Sequence, residues 1–317
     1  MRFDFAALER KIALGDHALW LDGQIAQRIT QLGRDLAALM ASAPGDEAAL
    51  QRLVRVAYDD LIRLVGTDLT GVAGVVVEDV LATLADALPP GTAAGLASPP
   101  AGLVARRALE SRLLGGPMAE WWAQQAETTR LRLIRAVRQA IERREGVGPL
   151  AKLVRDMLQV PMRDAQALAR TAMAHVEIES ALEVYRGNTD IAPMWEWLAT
   201  LDSRTTPYCR SQDGKRYRFD DETAPRPPAH WNCRSDMMPL LDYKGLGLPE
   251  PPRRQTYADW LREQPESSQK EILGPARARL FRAGEVTLDD LVRRDGRPKT
   301  LAQLRELLRK RRARRAG

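Results

Sequence analysis

Three residues of the right chemical types to share a metal ion fall within one short window: Cys209, His230 and Cys233. Thiolate and imidazole are donors that zinc favours, and His230-x-x-Cys233 can pinch an ion from a tight turn. A closed tetrahedral site takes four protein ligands. Asp202, Asp213 and His175 are the fourth donors on offer, and sequence order does not choose among them. The same residues carry three other readings. Cys209 and Cys233 can close a disulfide in a protein released from a reducing cell. Cys209 or Cys233 can serve as a thiol nucleophile, with His230 as base and Asp202 as its orienter, although no local signature of a cysteine hydrolase surrounds them. In the fourth reading both cysteines simply pack a small core with nearby tryptophans, while Asp202 pairs with Arg204 to hold a turn. Elementary physics favours the fourth.

These residues sit in a stretch unlike the rest of the chain. Six of the 17 aromatic residues lie between Trp195 and Trp231, so a compact module is expected there. Residues 194–201 alternate as a strand does, and 216–219 can pair with them after the Asp213-Gly214 turn. Pro225, Pro227 and Pro228 keep the following segment irregular.

The flanking elements that must position this module read as helices. Residues 5–65 carry a helical pattern with a break at Ser42-Ala43-Pro44-Gly45, and a further helix is expected over 74–88. Pro89-Pro90-Gly91 and Ser98-Pro99-Pro100 bracket small residues that read as a flexible or extended linker. A long helix follows over 118–144, with Arg130, Arg135, Arg138 and Arg144 largely off its apolar face. Next come a short helix over 150–158 and a longer one from Pro161 to about residue 185. Beyond residue 240 helices resume, with Thr256 and Thr300 as caps and one helix over 268–282.

Charge is distributed unevenly. Arg309, Lys310, Arg311, Arg312, Arg314 and Arg315 account for the whole excess of +6, because without them 42 basic residues face 42 acidic ones. A balanced body with a basic tail implies a local polyanion contact, against the alternative of a solvated helix end. Leu301, Leu304, Leu307 and Leu308 would anchor that helix while its end projects. Two cysteines exclude a disulfide scaffold and a multi-cysteine zinc array. No apolar run is long enough to span a bilayer, and the first residues do not read as a signal peptide. The expectation is a soluble protein made in a reducing compartment.

A set of anchors in fixed order adds a more specific reading. Arg170-Thr171 on a helix, Trp197, Asp202-x-Arg204-Thr205, Cys209, Gly214-Lys215 and Pro228-x-His230-x-Asn232-Cys233-Arg234 resemble the Mu F-like phage head morphogenesis (minor head protein) family over about residues 149–240. Members of that family often carry a further cysteine two positions after Cys233, where this chain has Ser235. A four-ligand zinc set implied by the family pattern would therefore lack one ligand here.

The resemblance implies a structural virion component without catalytic residues or a resident cofactor, zinc at Cys209, His230 and Cys233 being the one candidate. It places the protein in host cytoplasm during assembly and then inside the phage head. Its implied partners are the portal protein, the major capsid or scaffold proteins and, through the basic tail, double-stranded DNA without sequence preference; no membrane is implied. An effector enzyme carrying such a module and a cellular nucleic-acid-binding protein are the rival readings. The expected fold is mainly α, in three parts: a helical region over 1–148 that meets portal or capsid, a small α+β loop-rich module over 149–245, and a helical region with the basic tail over 246–317.

Overall fold

The computed structural model describes residues 2–89 and 95–316, with side chains from 12 to 89 and from 95 to 314. The chain forms two compact units, one of residues 1–187 with 230–233, the other of 188–229 with 234–317.

The first unit is built on a helical hairpin, α1 (Arg2–Ser42) and α2 (Glu47–Ala87). Asp46 caps α2 by accepting a hydrogen bond from Ala49 N–H at 2.8 Å. Leu21, Ile25, Ile29, Leu32 and Leu36 recur every three or four residues along α1 and are buried. Across from them α2 buries Leu50, Val54, Tyr58, Leu61, Val65 and Leu69, and His17 meets Asp68 at 2.6 Å to fix the register. The sequence suggested separate helices over 5–65 and 74–88. Instead α2 runs unbroken through Gly66, Gly71 and Gly74. Each glycine costs roughly 1 kcal/mol relative to alanine, but buried Val65, Leu69, Val72 and Val76 keep one face in contact and outweigh that cost.

Part of the expected linker, residues 90–94, lies outside the described residues; 96–100 have no regular structure. A short helix that the sequence reading did not foresee, α3 (Ala101–Glu110), follows and buries Val104, Ala105 and Ala108. Strands β1 (Arg112–Leu113) and β2 (Gly116–Pro117) then make a hairpin whose turn residues, Leu114 and Gly115, both have positive φ. That is the backbone a two-residue hairpin turn requires.

The expected helices follow as α4 (Met118–Glu142), α5 (Val147–Met157) and α6 (Gln159–Arg186). Pro161 falls in the first turn of α6, where its missing N–H breaks no helical bond. Ala165, Ala169 and Ala172 are fully buried, so α6 packs closely and touches all five other helices of this unit.

In the second unit an antiparallel sheet has the order β4-β3-β5: β3 (Met194–Leu198) lies between β4 (Arg216–Arg218) and β5 (Asp236–Leu240). Trp195 pairs with Tyr217 on one side and Pro239 on the other. Proline donates no ladder bond, which is tolerated because β5 is an edge strand. Strand β5 and a one-turn helix α7 (Pro207–Gln212) were not expected from the sequence.

After the sheet, Thr256 and Asp259 form a reciprocal capping box at α8 (Tyr257–Glu263). The single helix expected over 268–282 is two, α9 (Glu266–Leu273) and α10 (Pro275–Arg282). Gly274, at φ +80°, and Pro275 separate them. Tyr257, Leu261, Phe281, Leu288 and Leu304 fill the core that these helices share with α11 (Leu301–Ala316). The fold is thus mainly α, with a small sheet-containing, loop-rich middle. Among the described residues no helix is long and apolar enough to cross a membrane.

Candidate functional site

Cys209 lies on α7 in the second unit, whereas His230 and Cys233 lie in the 230–233 turn of the first. Thr206 and Pro207 start α7, which carries Cys209, and a turn closed by Cys233 N–H on His230 carbonyl at 3.1 Å brings the other two donors close to each other. Two thiols and an imidazole are donors that zinc takes in a tetrahedron. Both cysteines are buried, and no disulfide joins them.

The three proposed fourth ligands are engaged elsewhere. His175 Nε2 meets Ser111 Oγ at 2.6 Å. Asp202 and Asp213 are each committed to an arginine. Ser235, at the position of the family's extra cysteine, is itself buried.

Asp202 holds the loop that precedes α7. Its Oδ1 accepts from Arg204 N–H at 3.0 Å and Thr205 N–H at 2.9 Å, while Thr205 hydroxyl bonds Thr200 carbonyl at 2.5 Å. The charge partner is Arg234, which grips both carboxylate oxygens at 2.5 and 2.8 Å. Arg204, the partner expected from sequence, also pairs with Asp202, but more weakly. Its guanidinium stays 3.9 Å away and 77% exposed, because Asp202 already receives the Arg204 backbone N–H. The Arg234 hydrogen bonds hold the Asp202 carboxyl down at about 2, against the opposing effect of partial burial.

A second carboxylate, read from the sequence as part of a turn and as a possible fourth ligand, is buried in a network of its own. Asp213 has a side chain just 1% exposed. It accepts from Ala199 N–H and Tyr257 N–H, both at 2.6 Å, and from Arg254 at 3.1 Å. Arg254 also reaches Glu196 at 2.7 Å and the Trp197 carbonyl at 2.7 Å. Next to Asp213, Gly214 at φ +80° donates its N–H to Trp197 carbonyl at 2.9 Å. A Cβ there would meet Thr256 Cγ2 at 3.2 Å, so glycine is required by both backbone and space. Trp197 is fully buried, edge-on to Tyr208. No sequence pattern singled out Arg254, since it lies 41 residues from Asp213.

In the helical unit Arg170 and Thr171 clamp the 230–233 turn. Arg170 Nε donates to Asn232 Oδ1 at 3.1 Å while its guanidinium pairs with Asp22. Thr171 hydroxyl accepts Asn232 N–H at 2.9 Å. Asn232 sits at φ +55°, a conformation asparagine adopts more readily than most residues.

The basic tail does not project with all its charges open. Arg311 binds Asp290 through two bonds of 2.5 and 2.9 Å, and Arg312 reaches Glu285 at 3.2 Å. Arg309 and Lys310 both approach Glu306. On α4, Arg130 likewise pairs with Glu127 and Arg138 with Glu47. The side chain of Arg315 lies outside the described residues.

With this geometry in view, residues 132–238 match the family of Phage Mu protein F like proteins. The match runs from the middle of α4 to β5 and assigns that third of the chain to the Mu F-like phage proteins. No curated protein and no solved structure matches the chain.

The depressed Asp202 carboxyl makes stability depend on acid. An unfolded aspartate titrates near 3.9, so the stabilisation is complete above about pH 4 and is lost as pH falls towards 2. Discounted for partial exposure, it amounts to about 1–2 kcal/mol. Urea unfolding of Arg234→Met between pH 5 and 2 should lack most of that acid-dependent loss, whereas Arg204→Met should retain it.

Proposed function

We propose that this protein is a minor head protein of a tailed phage or prophage. It acts at the portal vertex during procapsid assembly and stays in the head with the packaged DNA. The Mu F-like match over 132–238 carries this reading. The polar groups found in the matched segment support it, because Arg170, Thr171, Asp202, Asn232 and Arg234 are all spent on holding loops. Such anchoring suits a component that presents rigid surfaces, and the portal protein with the major capsid or scaffold proteins are the partners proposed. Purified chain mixed with its cognate portal at micromolar concentration should co-sediment with portal oligomers. A chain that remains at the top of the gradient beside intact portal contradicts the assembly role.

The Cys209, His230 and Cys233 set would hold a zinc ion as a cross-brace, with water completing the tetrahedron. Three protein ligands make an exchangeable site compared with a closed four-ligand one. Elemental analysis after extensive dialysis should find less than one zinc per chain, and less again in Cys209→Ser. A full equivalent that survives dialysis would show a fourth protein ligand at work.

Duplex DNA is the proposed partner of the tail. The pairs formed by Arg309, Lys310 and Arg312 are exposed, worth little, and can be exchanged for phosphates. Arg314 is exposed as well. Arg311 stays on Asp290, whose side chain is only 11% exposed. Five contacts, the sixth charge remaining in its ion pair, give a log–log salt slope of about −4.5 on B-DNA. Replacing Arg309, Lys310, Arg312 and Arg314 by glutamine should reduce that slope to about −1 and leave the fold intact. An unchanged slope would move DNA contact to the arginines of α4.

A further inference from the structure

A cleft of about 410 Å³ lies between α4 and α6 in the helical unit, closed at one end by the Trp231-Asn232 turn. At that end Trp121 and Trp231 meet edge to face with ring centres 5.3 Å apart. Trp231 is 41% exposed, an unusual state for the largest apolar side chain. The Trp121 indole N–H is already given to Leu113 carbonyl at 2.9 Å, so this end offers aromatic surface. Further along, Gln125 Oε1 is buried without a hydrogen-bond partner. Arg132 and Asp164 line the opposite walls, and neither forms an ion pair among the described residues.

These features suit an extended peptide containing proline. Aromatic-lined grooves take proline rings well because the polyproline II strand is already ordered before it binds. From Trp121 to Arg132 the α4 wall runs about 16 Å. Five residues of polyproline II span about 15 Å.

The chain carries a segment of that length and composition. Pro249-Glu250-Pro251-Pro252-Arg253 is exposed, lacks regular structure and makes no backbone–backbone hydrogen bond among the described residues. Glu250 supplies a charge opposite to that of Arg132. Its N–H is one of only two backbone donors in the five residues, since proline has none, and it can reach Gln125 Oε1.

We propose that the protein self-associates head to tail, with residues 249–253 of one copy lying in the Trp121–Trp231 cleft of the next. Pro251 and Pro252 pack on the indoles, and Glu250 turns towards Arg132. The contact joins two different surfaces, so each added copy leaves one strap and one cleft open for another. It stands independently of the head-protein reading, because it rests on the cleft and the strap alone.

Sedimentation velocity of the full chain over a concentration series tests this. The wild type should grow beyond a dimer as concentration rises. Arg132→Glu and Glu250→Arg should each weaken association at least about tenfold, since like charges then face each other. Both positions are exposed and the swaps leave the core untouched. Combining the two in one chain should restore growth. Mixing the two single variants should also restore growth, with the two kinds of copy alternating, because each strap then meets a cleft of opposite charge. A wild type that stays monomeric at millimolar concentration overturns the proposal. So does association that neither charge reversal changes.

Discussion

A carboxylate removed from water has to be paired, and Asp213 is such a group. Its side chain is 1% exposed, yet it accepts from two backbone amides and from Arg254. One amide belongs to the segment leaving β3 and the other to the first residue of α8. Arg254 extends the network to Glu196 on β3 itself. Three stretches distant in sequence are therefore held to one buried charge. The sheet they organise has only three short strands, and strand pairing contributes modestly until packed. Leaving a buried charge unpaired costs about 3–5 kcal/mol, so the arrangement tolerates little slack.

The same solution recurs elsewhere in the Mu F-like segment. Asp202 ties the loop before α7 to Arg234, and the Arg170–Thr171 pair ties the 230–233 turn to α6. Each turn carries backbone groups that helix and strand bonds leave unpaired, and side-chain hydrogen bonds satisfy them instead. Loops fixed in this way hold Cys209 in one unit and the His230–Cys233 turn in the other. The conspicuous polar residues of the segment thus act as architecture. That division of labour accords with a structural head component and with a metal, if held, serving as a brace.

How much of this was legible in the sequence depended on how local the signal was. Helices α4 and α6 and the capping box at Thr256 follow from periodicity and cap chemistry within a few residues. The pairing of β3 with β4 followed from a turn signal between them. Local signals failed where packing overrode them. The helices read separately over 5–65 and 74–88 are joined, because the hairpin core of α2 holds Gly66, Gly71 and Gly74 in one helix. Strand β5 went unread, and it tolerates Pro239 because it lies on an edge. Charge partners were the least legible. Arg204 is two residues from Asp202 and looked like its mate, while Arg234, 32 residues away, holds it. The acidic partners of the tail were equally hidden, since Asp290 and Glu285 lie more than 20 residues from Arg311 and Arg312.

The ion cluster around Asp213 is the claim on which the second unit stands, and a double-mutant cycle measures it most directly. Asp213→Asn, Arg254→Met and the two combined would be compared with the wild type by urea unfolding at neutral pH. Coupling between the two positions should be about 2–3 kcal/mol, with each single variant losing more than its share of the double. Losses that add within about 0.5 kcal/mol would show that the two groups act independently, and would contradict the account.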